Sequence, residues 1–269
     1  MRSYSITEWT VEPGKPIEEV EEYLLLQGFS SYAVEFESKR TLVKLYTDDE
    51  LFINDLLIHT DSKILSKKTT CSEQWYKYLS KKPFELVKGV WIDPSGRMIS
   101  DEKVVIKMTP SAAFGTGDHP TTKLAARFLA KHLKESCPVL DVGCGSGILG
   151  ILAKLLGASS VLCVDIDDMA LEVAHFFAEG NAVSVEFKKS DLLSNVSGVY
   201  DIVVANIVTP VLMKLIDQLE CVTNNSTVIF SGITKKEKPV IIEALRKRGL
   251  SLLEEEELNS WVALVIKTL

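Results

Sequence analysis

The amino-acid sequence predicts an α/β chain: a mostly parallel sheet with helices on both faces, closed by a C-terminal antiparallel hairpin and preceded by a small α+β domain. Three observations carry this. From Pro138 onward, apolar strand runs alternate with helix-period patterns. The runs DIVVAN (201–206) and STVIFSG (226–232) are almost continuously apolar, as strands covered on both faces are. The first 70 residues read instead as strand, helix, two strands, helix, strand.

Within those 70 residues, Ser3–Val11 is rich in β-formers. Pro16 opens a helix that runs to Gln27, with Val20, Tyr23 and Leu24 on its apolar face and Gly28 as its stop. Ser31–Glu37 and Thr41–Thr47 are strands joined by a polar turn, Asp48–His59 a second amphipathic helix, and Ser62–Thr69 a fourth strand. This β-α-β-β-α-β order is ferredoxin-like, so residues 1–70 are expected to form one domain. Residues 71–108 hold Trp75, Tyr76, Tyr78, Trp91, Pro83 and Pro94 and read as an aromatic linker with short strands, although the rings would serve equally as ordinary core residues. Residues 109–269 form the larger domain. Its strands are expected at Val139–Val142, Val161–Ile166, Val183–Lys188, Asp201–Ala205 and Val228–Ser231. Helices are expected at Ile148–Leu156, Met169–Glu179, Pro210–Val222 and Lys235–Lys247, and the hairpin pairs Leu250–Glu255 with Trp261–Ile266.

Bulk properties exclude several classes. A net charge of −7 and a pI near 5.3 argue against broad nucleic-acid binding, which needs a basic face. MRSYSITEWT lacks the apolar core of a signal peptide, and the greasiest run, Ile148–Ala158, is broken by Lys154 and too short to span a bilayer. A cytoplasmic protein with no membrane partner is expected. The five cysteines form no C-x-x-C pair and read as reduced thiols, and the four histidines lie far apart, so no metal is expected.

Chemistry concentrates in Val139-Leu-Asp-Val-Gly-Cys-Gly-Ser-Gly147. A buried strand ends at Val142 and a glycine turn leads into a helix, the place where open α/β sheets bind ligands. Gly143 and Gly145 remove side chains there, the helix start offers N–H groups to a carboxylate, and Asp141 can tie the loop or face an ammonium. S-adenosyl-L-methionine (AdoMet), with its amine, carboxylate and ribose, suits this set. A dinucleotide frame, Gly145-x-Gly147-x-x-Gly150 with Asp165 downstream, competes for the same residues, but it starts three residues past the strand and puts Gly150 inside the helix. Asp165 ends the next strand and can accept both ribose hydroxyls, since Asp167 and Asp168 are better placed to cap the helix that follows. Asp191 is either an adenine-pocket or a turn residue. Asn206, at the tip of the fourth strand, can accept a hydrogen bond from an acceptor amine and aim its lone pair, or can simply form the turn before Pro210. Ala113-Phe-Gly-Thr-Gly-Asp-His-Pro-Thr-Thr122 reads as a shaped loop entering a helix, with His119 as a base or a brace.

Taken together, A-F-G-T-G-x-H-P-T-T, V-x-D-V-G-C-G-S-G-I-L, D-I-D and V-V-A-N-I make the chain resemble the PrmA family, whose members methylate ribosomal protein L11 of the large subunit. The resemblance covers nearly the whole chain. The stretch WYKYLSKKPFELVKGVWIDPS (75–95), Ser231-Gly-Ile233 and Trp261 also fall where the family has similar residues, whereas Thr109-Pro-Ser-Ala departs from its D-P-G. The resemblance implies a class I methyltransferase fold with AdoMet held by Thr122, Gly143, Asp165 and Asn206, and Gly145 belongs to the same turn. It further implies that the N-terminal domain captures the ribosomal protein, with lysine and N-terminal amines as acceptors; a monomer without direct nucleic-acid contact is expected. A different protein acceptor, a small-molecule acceptor and a non-catalytic AdoMet-binding module are the alternatives. The separate N-terminal domain weighs against a small acceptor.

Overall fold

The computed structural model describes residues 5–27, 29, 32–37, 40–71, 82–96, 98, 104–108 and 117–268. Trp75, Tyr76, Tyr78, the 109–112 stretch and the 113–116 part of the expected loop lie outside these residues. The chain divides into two compact units, Met1–Lys81 with Pro110–Phe114, and Lys82–Thr109 with Gly115–Leu269.

The first unit runs β1 (Ser5–Glu12), α1 (Ile17–Leu26), β2 (Tyr32–Glu37), β3 (Arg40–Tyr46), α2 (Glu50–Thr60), β4 (Lys63–Cys71). The strands pair antiparallel in the order β2-β3-β1-β4. β1 therefore sits between β3 and β4, which is the split β-α-β arrangement of a ferredoxin-like sheet. Trp9 and Val11 from β1, Val20 and Leu24 from α1, Val43 and Leu45 from β3, and Ile53 and Leu56 from α2 close its core. Asp49 caps α2 by accepting from Phe52 N at 3.0 Å.

The second unit opens with β5 (Phe84–Val87), β6 (Val90–Asp93) and β7 (Val104–Lys107), a three-stranded sheet. Much of the stretch expected to act as a linker is thus sheet that groups with the larger unit. Short apolar runs flanked by Pro83 and Pro94 hid the pairing of β6 with β7, which is parallel and joins residues from 90 to 107. Asn181 binds both the N–H and the carbonyl of Lys107, at 2.7 and 2.9 Å, as a neighbouring strand would.

Then come α3 (Pro120–His132), β8 (Pro138–Val142), α4 (Ile148–Leu155), β9 (Ser160–Asp165), α5 (Asp168–Gly180), β10 (Glu186–Lys189), β11 (Ile202–Asn206), α6 (Thr209–Ile216), β12 (Thr227–Thr234), α7 (Lys238–Lys247), β13 (Ser251–Leu258) and β14 (Trp261–Lys267). Seven strands form one sheet in the order β10-β9-β8-β11-β12-β14-β13. The first five are parallel, and β14 inserts antiparallel between β12 and β13. This is the class I methyltransferase architecture with its closing hairpin. Leu140, Val142, Val203, Ala205, Val228, Phe230, Leu264 and Ile266 lie in the sheet core with Leu212, Leu215 and Ile216 of α6.

Of the boundaries that differ from the sequence expectation, three stand out. The third strand starts at Glu186, not Val183, because the α5 terminus wraps on: Val183 N donates to Ala178 O, with Ala182 at φ 54°. The expected helix to Val222 stops at Ile216, and a short 3₁₀ turn covers Leu219–Cys221. The last helix starts at Lys238, not Lys235, because Glu237 turns back to accept from Thr234 N and Oγ1 at 3.2 and 2.7 Å.

The edge strand β13 carries Glu254–Glu257 in succession. Alternation sends Glu254 to Lys131 and His132 and Glu256 to Arg127, all on α3, while Glu255 and Glu257 meet Lys238 and Lys235.

Candidate active site

The carboxyl edge of the large sheet is built first by the β8–α4 turn. Gly143 and Cys144 donate their N–H groups to Val164 O at 2.8 and 3.1 Å, which ties the turn to β9. Gly143 has a φ of 69°, in the left-handed region that glycine alone enters freely. A Cβ on it would lie 2.4 Å from Ile207 Cγ2, so the space above the turn belongs to the β11–α6 loop. Gly147 caps α4 with no side-chain bond, so the first N–H groups of α4 keep their outward polarity.

Asp141 is fully buried below this turn. Its carboxylate accepts from Gly150 N at 3.0 Å and stands 3.9 Å from the Cys163 thiol. Burial pushes its pKa up to about 7; the Gly150 N–H opposes the rise and the charge of Asp165 adds to it. Of the two roles open to Asp141, tying the loop is the one these contacts perform. Burial likewise pushes the Cys163 thiol well up, so it stays a protonated core residue.

Asp165 ends β9, half-buried. It accepts from Gly145 N at 2.9 Å through Oδ2 and from Asp167 N at 3.0 Å through Oδ1. The capping of α5 falls to Asp167, which accepts from Met169 N. Asp191 is exposed on the turn after β10.

At the tip of β11, Asn206 Nδ2 donates to Thr122 Oγ1 at 3.3 Å, joining residues 84 apart in the chain. Thr122 is fully buried in the first turn of α3. Asn206 Oδ1 is buried with no hydrogen-bond partner among the described residues. His119 N-caps α3: its Nδ1 lies 2.7 Å from Thr121 Oγ1, and its ring meets Trp261 edge-on at 5.1 Å. That is the geometry of a brace. Ser231 Oγ donates to Thr121 O at 2.9 Å and pins the same helix turn to β12.

The structure therefore gathers Thr122, Gly143, Gly145, Asp165 and Asn206 onto adjoining elements at one sheet edge. Two features of the β11–α6 segment escaped the sequence reading. Ile207 is the wedge over Gly143, and its carbonyl sits 2.4 Å from where a Cβ on Gly232 would be. Thr209 is buried with an unpartnered hydroxyl. Its place beside Pro210, in the string that also holds Asn206, is the only signal the sequence offered.

The family described as Ribosomal protein L11 methyltransferase (PrmA) matches residues 7–268. The chain belongs to that family. Members similar to it include the ribosomal protein L11 methyltransferases of Thermosipho melanesiensis, 43% identical over 99% of this chain and 97% of the relative, and of Thermotoga neapolitana, 41% identical over 93% and 94%. The crystal structure of the ribosomal protein L11 methylase from Lactobacillus delbrueckii subsp. bulgaricus superposes with a TM-score of 0.65 at 34% identity, over 69% of this chain and 98% of that one. Membership in the PrmA family makes the chain a methyltransferase, and the β8–α4 turn with its strand-tip acids is the part of the fold suited to the methyl donor. Among the described residues no cluster of His, Cys, Asp and Glu could hold a metal, and no helix is long and apolar enough to cross a membrane.

Proposed function

We propose that this chain transfers methyl groups from AdoMet to lysine side-chain and N-terminal amines of ribosomal protein L11, with Asn206 as the residue that orients the acceptor amine. The observation that carries the reading is Asn206 Oδ1, a buried acceptor without a partner at the strand tip. Leaving such a group unmade costs roughly 1–3 kcal/mol, and an acceptor N–H would recover it.

The residues fit AdoMet. The uncapped start of α4 suits its carboxylate, Asp165 its ribose, and Gly143 and Gly145 let the turn run as bare backbone between them. Thr122 belongs to the same pocket through Asn206. AdoMet supplies a methyl group on a sulfonium, already a good leaving group, so the protein's task is placement. Asn206 holds an N–H of the acceptor. A lysine with an ordinary pKa near 10.4 is neutralised more readily once desolvated. No dedicated base is needed, and His119 Nδ1 is committed to α3.

The ferredoxin-like unit within residues 1–70 is the recognition domain in this reading, and the larger unit, with the small sheet of β5, β6 and β7, carries the transfer. The protein works as a cytoplasmic monomer on a protein partner, without direct nucleic-acid or membrane contact. The test is incubation with labelled AdoMet and separated ribosomal proteins. Label on L11 supports the reading. Label on another protein moves the acceptor, and AdoMet binding without label anywhere replaces the enzyme with a binding module.

A further inference from the structure

Asn206 Oδ1 has a companion three residues on. Thr209, the first residue of α6, is 5% exposed, and its Oγ1 is buried with no hydrogen-bond partner among the described residues. Threonine usually starts a helix one position earlier, where its oxygen caps the free N–H groups. Here Val208 occupies the cap, and α6 has no side-chain cap bond. The hydroxyl of Thr209 therefore does not serve its own helix.

Nor does packing call for it. Thr209, Leu212 and Ile216 fall on one face of α6 at helical spacing, and Leu212 and Ile216 lie in the apolar core of the sheet. Valine has the same shape and would leave nothing unpaired, so an orphaned hydroxyl on this stripe is a cost without a structural return. The stripe meets the sheet at its carboxyl edge, because α6 follows directly from the tip of β11. Between the two orphaned oxygens the chain is fixed: Ile207 is wedged against Gly143 on one side and Gly232 on the other.

Two unanswered hydrogen-bond acceptors three residues apart, where the chain leaves the carboxyl end of β11, match one chemical group. A neutral primary amine has two N–H donors and one lone pair. If both N–H groups are held, the lone pair is the only face left free to attack. We propose that Thr209 Oγ1 is a second ligand of the acceptor amine, acting with Asn206 Oδ1, and that this pair makes the site prefer unmethylated amines. This rests on the amine-methylation reading above. In the transfer the amine lone pair forms the new C–N bond while the C–S bond breaks and its electrons stay on sulfur. The product nitrogen is an ammonium and gives up its proton to water after leaving the site. When that amine returns neutral it has a single N–H, which Asn206 can hold alone. The contribution of Thr209 is thus confined to the first transfer.

The experiment compares the full-length protein with Thr209→Val and Thr209→Ser. Substrates are L11 carrying lysine, or Nε-methyl-lysine, at a position that the wild type modifies. Thr209→Val is expected to slow transfer to lysine roughly tenfold and transfer to Nε-methyl-lysine less than threefold, the cost of one lost hydrogen bond falling on one substrate only. Thr209→Ser should restore the wild-type ratio. The melting temperature of Thr209→Val without ligand should equal or exceed that of the wild type, since the variant loses an unpaired buried hydroxyl. Equal slowing on both substrates, or a lower melting temperature with an unchanged ratio, overturns the assignment to Thr209. A wild type inactive on both substrates overturns the methylation reading itself.

Discussion

Replacing Asp141 with asparagine should flatten the way stability changes with pH. The side chain lies 1% exposed under the β8–α4 turn, with one backbone N–H, that of Gly150 at 3.0 Å, to stabilise its charge. Burial raises its pKa from 3.8 to about 7. The folded protein therefore holds this proton more tightly than the unfolded chain does. The associated stability is fully present below the unfolded value and is lost as pH rises through the folded one. At 1.36 kcal/mol per pH unit, the gap between the two values is worth about 4 kcal/mol. Asparagine keeps an oxygen for the Gly150 N–H and does not titrate. From pH 4.5 to 7.5 the wild type should lose about 3 kcal/mol of this stability relative to Asp141→Asn, the rest having gone below pH 4.5. Urea unfolding of both proteins at half-unit pH steps, with equal denaturant slopes as the control, measures this. Parallel stability curves across the window would mean that the carboxyl is ionised in the fold at neutral pH, and the reasoning from burial would be wrong.

Other perturbations separate binding from chemistry. Asn206→Ala should cut turnover roughly a hundredfold while calorimetry finds AdoMet affinity within about threefold of wild type, because loss of aim outweighs loss of one cofactor contact among several. Asp165→Ala should do the reverse and weaken AdoMet binding roughly tenfold to a hundredfold, as expected for losing hydrogen bonds to a charged group; unchanged affinity would place the ribose elsewhere. Gly150→Ala would bring a Cβ within 2.2 Å of Cys163 Sγ, so the melting temperature should fall despite alanine's better helix propensity. Adding Cys163→Ala should recover much of the loss, and no recovery would show that the contact is not the cause.

The β-α alternation was legible because each strand of the large sheet except the two edge strands, β10 and β13, is a buried apolar run, and the β8–α4 turn because three glycines in five residues mark backbone that side chains cannot follow. β10 misled: VSVEF reads as strand from its first residue, but the α5 terminus claims Val183 through a bond that propensity does not register. The break of α6 after Ile216 also has no local marker; neither Gly nor Pro stands there. At the site, Asp165 and Asn206 could be placed because each ends a strand. The bond from Asn206 to Thr122 spans two elements on different parts of the chain, and only resemblance to a family pointed at Thr122. Thr209 and Ile207 were invisible because their roles come from fit. A wedge between two glycines and a hydroxyl that nothing answers are properties of packing, with no spacing to betray them.

The margins of the seven-stranded sheet have a consequence for how the protein behaves in concentrated solution. One margin, β10, is four residues long and ends in two lysines. The other, β13, holds its four glutamates against cations of the flanking segments on both faces. A stray extended segment seeking to lengthen the sheet would meet a short charged stub on one side. On the other it would have to dock along a row of carboxylates with its own side chains already crowded by lysine and arginine. Edges built this way resist the strand-by-strand accretion that leads to aggregation, so a protein with a large, greasy parallel core can remain dispersed without a partner to shield it.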